Sequence, residues 1–381
     1  MIEPANEDNR GKPPFGEHST GQDKEHLAAT LGMKGRINAI FESINAIHIF
    51  TDSEEAYRLS QDERVLRVTQ DMTTVPMTTQ NNPGWGLDRL DEQTVVLDST
   101  YTYTSTGAGR TIYILDSGLT LSNTTVAAEF GNRASIIWDV NGGNGSDCHG
   151  HGTMVSSAAA GNTKGIAKGA TLVMAKITTG CTGSATVATA VTAFNWLATN
   201  APAGTIVNYS YGFTAGPNVC NVTMFNTDLE NAIKAAHNKG VIVVVAAGND
   251  SCNTANYSPT RIPEAFVVGA TNNVLISSAK DAKASFSRTG FNISTFSPGE
   301  SVSLINQSGT PVVASGTSFS APYIAGVFAI ACQAAGSLCN TATTAASLYQ
   351  ALRNEGILNT VTNTNGTPLT GATSRFIPQK W

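Results

Sequence analysis

The sequence predicts an α/β fold, a doubly wound, mostly parallel sheet flanked by helices and preceded by a small α+β module. Three observations carry this. From about residue 80 onward, short β-branched runs alternate with helical stretches, the pattern that builds parallel sheets. Several of those runs, most clearly Val241-Ile-Val-Val-Val-Ala-Ala247, are apolar at every position, so their strands are covered on both faces. Before residue 74 the chain is richer in charge and free of cysteine, which marks a separate unit.

The elements follow in order. Residues 1–22 are polar, carry Gly and Pro, and read as a loose tail. Asp23-Lys-Glu-His-Leu-Ala-Ala-Thr-Leu31 sets Leu27 and Leu31 four apart, on one helical face. Ala46-Ile-His-Ile-Phe50 reads as a strand, Ser53-Glu-Glu-Ala-Tyr-Arg-Leu-Ser60 as a helix capped by Ser53, and Val65-Leu-Arg-Val-Thr-Gln70 as a further strand. Together they form a module near the lower size limit for folding alone. Met72-Thr-Thr-Val-Pro-Met-Thr-Thr79 reads as an extended linker, which divides the chain into 1–22, 23–77 and 78–381. In the last part, Thr111-Ile-Tyr-Ile-Leu115 is a strand ending at Asp116, and His151-Gly-Thr-Met-Val-Ser-Ser-Ala-Ala-Ala160 is a helix of small side chains. Strands follow at 171–176 and 205–208. Leu229-Glu-Asn-Ala-Ile-Lys-Ala-Ala236 is an amphipathic helix that Gly240 closes before the strand at Val241, and Ala265-Phe-Val-Val-Gly269 is another short strand.

Composition excludes several function classes. With 381 residues, 41% hydrophobic and a net charge of −5, the chain is too apolar and too weakly charged for a disordered protein. A pI near 5.7 gives no electrostatic footprint for nucleic acid. Only 13% of residues are charged and 36 are glycine, which suits a tightly packed, loop-rich domain. The apolar run at Val241 is far shorter than the ~20 residues needed to cross a membrane. The N-terminus shows neither a basic segment nor an apolar one, so no secretory signal is visible. Six cysteines and the sequons at Asn123, Asn144, Asn221, Asn292, Asn306 and Asn365 nevertheless suit an oxidising compartment. The expectation is an exported protein whose signal lies outside this sequence or whose route is another one.

Three segments carry chemistry. Leu115-Asp-Ser-Gly118 places an acid at the end of a buried strand. His149-Gly-His-Gly-Thr153 opens a helix with a histidine, and Ser315-Gly-Thr-Ser-Phe-Ser-Ala-Pro322 opens another with a serine. In open α/β sheets, reacting groups gather at strand carboxyl ends and helix N-termini. Singly, each has a plainer explanation: a turn-forming Asp, a loop His, an N-cap Ser. Together, in the order Asp, His, Ser, they match the chain order of one known serine-protease triad.

On these motifs the chain resembles the subtilisin-like serine proteases, and within them the proteinase K branch. Gln80-Asn-Asn-Pro-Gly-Trp-Gly-Leu-Asp-Arg89 resembles the mature N-terminus of that branch, and Val245-Ala-Ala-Gly-Asn249 its oxyanion segment. Val207-Asn-Tyr-Ser-Tyr-Gly212 and Gly183-Ser184 resemble its two cleft strands. The resemblance spans about residues 80–355 and implies a subtilisin-like fold with a serine endopeptidase activity. It makes Ser318 the nucleophile, His151 the general base and Asp116 the group that orients His151. The Asn249 side chain and the Ser318 N–H become the oxyanion donors. It places Gly183, Ser184 and Ala185 on one side of the substrate strand and Ser210, Tyr211 and Gly212 on the other. Ser210–Gly212 together with Ala246, Ala247 and Gly248 then wall the S1 pocket. No acid or base stands out on those walls, so broad cleavage after apolar or aromatic P1 residues is expected.

The resemblance carries further expectations. Residues 23–77 look like the family's inhibitory propeptide, acting as an intramolecular inhibitor, incomplete by pattern and cut near Met77-Thr78. The product is then a secreted monomer acting on protein and peptide substrates, with no nucleic-acid or membrane partner. Six cysteines allow fifteen pairings, or none if all remain thiols. Relatives in this branch bridge the positions of Cys148 and Cys181. Cys332 and Cys339 flank a helix end and suit a local pair, which leaves Cys220 and Cys252. Catalysis requires no cofactor. The family is usually stabilised by calcium, but the branch's aspartate ligand falls at Ser294 here, so a structural calcium is left without assigned residues. Met154, Phe319-Ser-Ala321 and Tyr323 also depart from the usual motif. The rival reading, from another class, is a catalytically silent subtilase-fold binding protein. Finding all four of Asp116, His151, Ser318 and Asn249 favours the enzyme.

Overall fold

The computed structural model describes residues 2–4, 26, 28–71, 78–273, 280–340, 344–356 and 361–369. The chain forms two compact units, 1–76 and 77–381.

The first unit holds β1 (Ile2–Pro4), β2 (Arg36–Phe41), β3 (Ala46–Phe50), α1 (Ser53–Ser60) and β4 (Val65–Val68). Its antiparallel sheet has the order β2-β3-β1-β4. Part of the supposedly loose tail is therefore a strand, and an inner one. Three residues are too few for an alternating pattern to show. The open backbone edges of β3 and β4 supply the hydrogen bonds that local sequence does not advertise. Helix α1 is capped by Asp52, whose carboxylate accepts from Glu55 N at 2.8 Å, one residue before the expected Ser53. The unit's buried centre is small, built on Leu31, Leu59 and Val65. On the near side of the expected cleavage point at Met77-Thr78, residues 72–77 lie outside the described residues.

The second unit begins with β5 (Thr78–Asn81), α2 (Trp85–Asp91) and β6 (Thr100–Tyr103), with β5 and β6 paired antiparallel. It continues with β7 (Thr111–Asp116), α3 (Thr124–Phe130), β8 (Ala134–Asp139), α4 (His151–Ala160) and β9 (Thr171–Lys176). Then come α5 (Val187–Asn200), β10 (Ile206–Tyr209), α6 (Thr227–Asn238), β11 (Ile242–Ala246), β12 (Phe266–Thr271), β13 (Asp281–Ala282) and β14 (Ile293–Pro298). A hairpin, β15 (Val302–Ile305) and β16 (Pro311–Ala314), leads into α7 (Thr317–Ala335), then α8 (Thr344–Glu355) and β17 (Val361–Thr362).

Seven strands form one parallel sheet in the order β14-β12-β11-β10-β7-β9-β8. Strand β7 sits where the order reverses, with β9 and β8 to one side and β10 onward to the other. That switch point is where open α/β sheets form their binding crevice. Register decides what reaches it. Tyr209 pairs with Leu115 on one side and with Val245 on the other. The residues that follow, Asp116, Ser210 and Ala246, therefore emerge side by side at one sheet edge. Pleating decides the face. Tyr113 and Leu115 line a groove against α5, so Asp116 points to the opposite face. Helix α7, long and apolar enough to cross a membrane by composition, is buried in this unit and packs on α4 and the central strands.

Candidate active site

Asp116, the last residue of β7, is fully buried. Its Oδ1 accepts from Ser117 N at 2.7 Å and lies 2.8 Å from His151 Nδ1. A carboxylate accepts and does not donate, so the proton of that contact sits on Nδ1 and leaves Nε2 as a base. The Tyr211 hydroxyl approaches the same oxygen at 3.5 Å. Burial disfavours the imidazolium, but the charge and hydrogen bond of Asp116 and the charge of Asp147 outweigh it. The His151 pKa lies above the ordinary histidine value.

His151 is the first residue of α4. The N-cap, Gly150, has φ +104° and no capping side chain. Asp147 does that work from three residues further back. Its Oδ1 accepts from Gly150 N at 2.7 Å, His149 N at 3.1 Å and Ser117 Oγ at 2.9 Å. Its Oδ2 accepts from Thr153 N at 2.9 Å and Thr153 Oγ1 at 2.7 Å. Ser117 Oγ in turn accepts from Gly152 N at 2.8 Å, which clamps the helix start to the end of β7. A Cβ on residue 152 would lie 2.3 Å from the Gly118 carbonyl oxygen, so only glycine permits that approach. Sequence reasoning missed Asp147 and Ser117. The available signal was an acid placed to serve the free N–H groups of a helix beginning at His151.

Ser318 is the second residue of α7. It is only 9% exposed, yet it lines the cleft. Pro322, four residues on, has no N–H to give the Ser318 carbonyl. Ser210 Oγ takes that place at 3.1 Å, and the Ser318 hydroxyl donates to the Ser210 carbonyl at 3.4 Å. Asn208 Nδ2 donates to Ser210 Oγ at 2.9 Å. The Ser318 N–H has no acceptor among the described residues. The His151 ring lies 5.6 Å from that of Phe319 and 5.9 Å from the edge-on ring of Tyr211, measured between ring centres.

Asn249 follows β11. Its Oδ1 accepts from Thr317 N at 2.9 Å and from Thr317 Oγ1 at 2.8 Å, and Thr317 Oγ1 accepts from Gly248 N at 3.0 Å. With the amide oxygen held by two donors, the amide NH2 is turned toward Gly316.

Beside these groups lies a cleft of about 340 Å³ lined by Ser210, Tyr211, Gly212, Ala246, Ala247, Gly248, Asn249 and Ser318. Gly183, Ser184 and Ala185 do not line it. They turn back on Thr178 and Thr179, and Gly183 packs under the His149 ring, 6.3 Å from that of His151. The walls named from the sequence, 210–212 and 246–248, carry no acid or base, but they are not the whole lining. Asp250 and Arg288 both line the cleft, Arg288 reaching it from a loop 38 residues away in sequence.

Disulfides join Cys148 to Cys181, Cys220 to Cys252 and Cys332 to Cys339. Ser294 is buried, and its hydroxyl accepts from Val267 N and Arg353 Nη2, so an arginine faces the position where the resemblance places a calcium ligand. A different set fits a hard cation. Carboxylate oxygens of Asp88, Glu92 and Asp98 lie within 4.8 Å of one another. Burial, joined by mutual repulsion, raises the pKa of Asp88 and of Glu92, and burial lifts neighbouring Asp91 to about 7. One Asp91 oxygen is buried without a partner. A close group of carboxylate oxygens suits calcium. Four acids within eleven residues were the signal in the sequence.

The family model described as the Subtilase family matches residues 107–370. An extracellular serine proteinase of Thermus sp. (strain Rt41A) is 35% identical over 306 residues, 79% of this chain and 70% of that protein. Alkaline serine exoprotease A of Vibrio alginolyticus is 31% identical over 327 residues, 84% of this chain and 57% of that protein. The chain thus spans between 57% and 70% of the length of these two relatives. Among solved structures, a cold adapted subtilisin-like serine proteinase is similar with a TM-score of 0.67 at 31% identity, over 79% of this chain and 100% of the other.

Proposed function

This chain belongs to the Subtilase family of serine-type peptidases, and from that premise we propose that it is a secreted endopeptidase made as a zymogen. In this reading the observation that carries most weight is the Asp116–His151 pair, whose imidazole lies 5.9 Å from the ring of Tyr211, a wall of the cleft that Ser318 and Asn249 also line.

The chemistry proceeds in two displacements. A peptide lies as an added strand between 183–185 and 210–212, its P1 side chain in the cleft. The Ser318 hydroxyl turns from the Ser210 carbonyl to His151 and attacks the scissile carbonyl carbon while Nε2 takes its proton. Asp116 keeps the other ring proton on Nδ1 and stabilises the imidazolium. The carbonyl oxygen, now negative, accepts from the Ser318 N–H and the Asn249 amide. His151 returns the proton to the departing amine, and the C–N bond breaks to leave an acyl-enzyme. Water, deprotonated by His151, then releases the acid and restores Ser318. A calcium held by Asp88, Glu92 and Asp98 would brace the fold and takes no part in these steps. Residues 23–77 serve as the propeptide, and export follows the extracellular relative.

A fluorophosphonate probe tests this. Expected is covalent labelling of Ser318 in the wild type, lost in Ser318→Ala together with about 10⁶-fold of kcat. A chain that binds peptide but never labels would instead be a silent binding protein.

A further inference from the structure

Two charged side chains line the cleft, and neither is used by the chemistry above. Asp250, which follows Asn249, is 3% exposed, and Arg288 is 1% exposed. They meet as a fork: Arg288 Nε lies 2.6 Å from Asp250 Oδ1, and Nη2 lies 2.5 Å from Oδ2. Burial alone would push the Asp250 carboxyl up, but these two bonds outweigh it and hold the group below the usual carboxylate range.

The pair also ties the cleft together. On one wall, Arg288 Nη2 donates to the Phe213 carbonyl at 2.6 Å, and Thr214 Oγ1 donates to Asp250 Oδ2 at 3.1 Å. On the other, Arg288 N donates to the Gly248 carbonyl at 3.1 Å, and a Cβ on residue 248 would lie 2.6 Å from Arg288 Nε. The guanidinium is also stacked 3.6 Å above the centre of the Tyr257 ring, which leaves it little room to swing away.

We propose that the Asp250–Arg288 ion pair determines specificity in this cleft: each charge cancels the other, so the pocket takes uncharged side chains, and unpairing either one gives it a charge preference. This rests on the reading of the cleft as the P1 pocket of a peptidase. The physical reason is proximity in a poorly solvated site. A single buried charge facing a cleft attracts its opposite strongly, because little water intervenes, while a fork-paired acid and base present almost no net field. A cleft with two charged walls can therefore behave as an apolar one, and only while both partners are present.

The test is a two-by-two set of variants assayed as kcat/KM on peptides that differ only at P1 (Phe, Lys, Glu). The wild type is expected to prefer Phe. Arg288→Met keeps a long side chain on Tyr257 and leaves Asp250 charged, so the Lys/Phe ratio should rise about tenfold or more. Asp250→Asn leaves the guanidinium charged, so the Glu/Phe ratio should rise by a similar factor. The double variant removes both charges and should return the wild-type ranking. A pair that only holds the fold together would lower all three substrates by one common factor, with no change of rank and no restoration in the double variant, and that result overturns the proposal. Should Arg288→Met fail to fold, Asp250→Asn decides alone by whether its Glu/Phe ratio moves. Failure of the underlying reading looks different, because the wild type would then cleave none of the three peptides.

Discussion

Two helix starts face each other across this site, and they are finished in opposite ways. At α4, the free N–H groups around His151 are filled: Asp147 takes those of Gly150 and Thr153, and Ser117 takes that of Gly152. At α7, Asn249 takes the N–H of Thr317 through its neutral carbonyl oxygen, and the N–H of Ser318 is left open among the described residues. Both helices begin after a glycine with no capping side chain, so the difference comes from elsewhere in the fold. A filled start with an anion fixes a base and favours its protonated form. An open start keeps the positive end of a helix ready for charge that appears only during reaction. In the proposed mechanism, pre-organised, unspent donors are what separate a catalytic site from a merely stable one.

That contrast can be broken most directly at the open end. Asn249→Ala should lower kcat by roughly 10²–10³ and change KM little. Steady-state kinetics on a chromogenic peptide would measure it, and a fall confined to KM would mean that Asn249 only binds. At the filled end, Asp147→Asn replaces one accepting oxygen by an amide that cannot serve both Thr153 donors. The expected loss is about 2–4 kcal/mol of stability, read by denaturant unfolding, with far less effect on kcat at alkaline pH.

The pH profile separates the two ends further. In the proposed mechanism the base, His151, must be neutral, and its pKa is raised. Activity should therefore fall as the pH drops through a value above the ordinary 6.5, about tenfold in kcat/KM per unit below it. Asp147→Asn removes one of the charges that raise it, so this acid limb should move down by a few tenths of a unit. A limb that stays in place would assign the shift to Asp116 alone. The smallest effect concerns carboxylates that no helix start satisfies. A chelator should lower the melting temperature by a few degrees, and Asp98→Asn should abolish that response. Equal responses in variant and wild type would place the calcium elsewhere.

Much of this was legible from the residues in order. Continuous apolar runs announced a covered parallel sheet, because a strand buried on both faces has no polar side to show. Three short motifs pointed to Asp116, His151 and Ser318, because strand ends and helix starts are local features. Other parts were hidden for stated reasons. Ile2–Pro4 is too short for its alternation to register, and its place as an inner strand depends on β3 and β4. Asp147 reads as one more loop acid until α4 is seen to begin where its oxygens reach.

The sequence by itself determined which chemistry is available, since residue type and the helix or strand beneath it are encoded within a few positions. Only the tertiary structure decided the electrostatics in which that chemistry works. Arg288 lies 38 residues beyond Asp250, and no spacing rule relates them. Register in a parallel sheet is set by pairing between distant segments, and so is the side of a cleft to which each charge is delivered. A neutral pocket made from two opposite charges is therefore written in the sequence as two unrelated letters, and it becomes one property only when the chain closes.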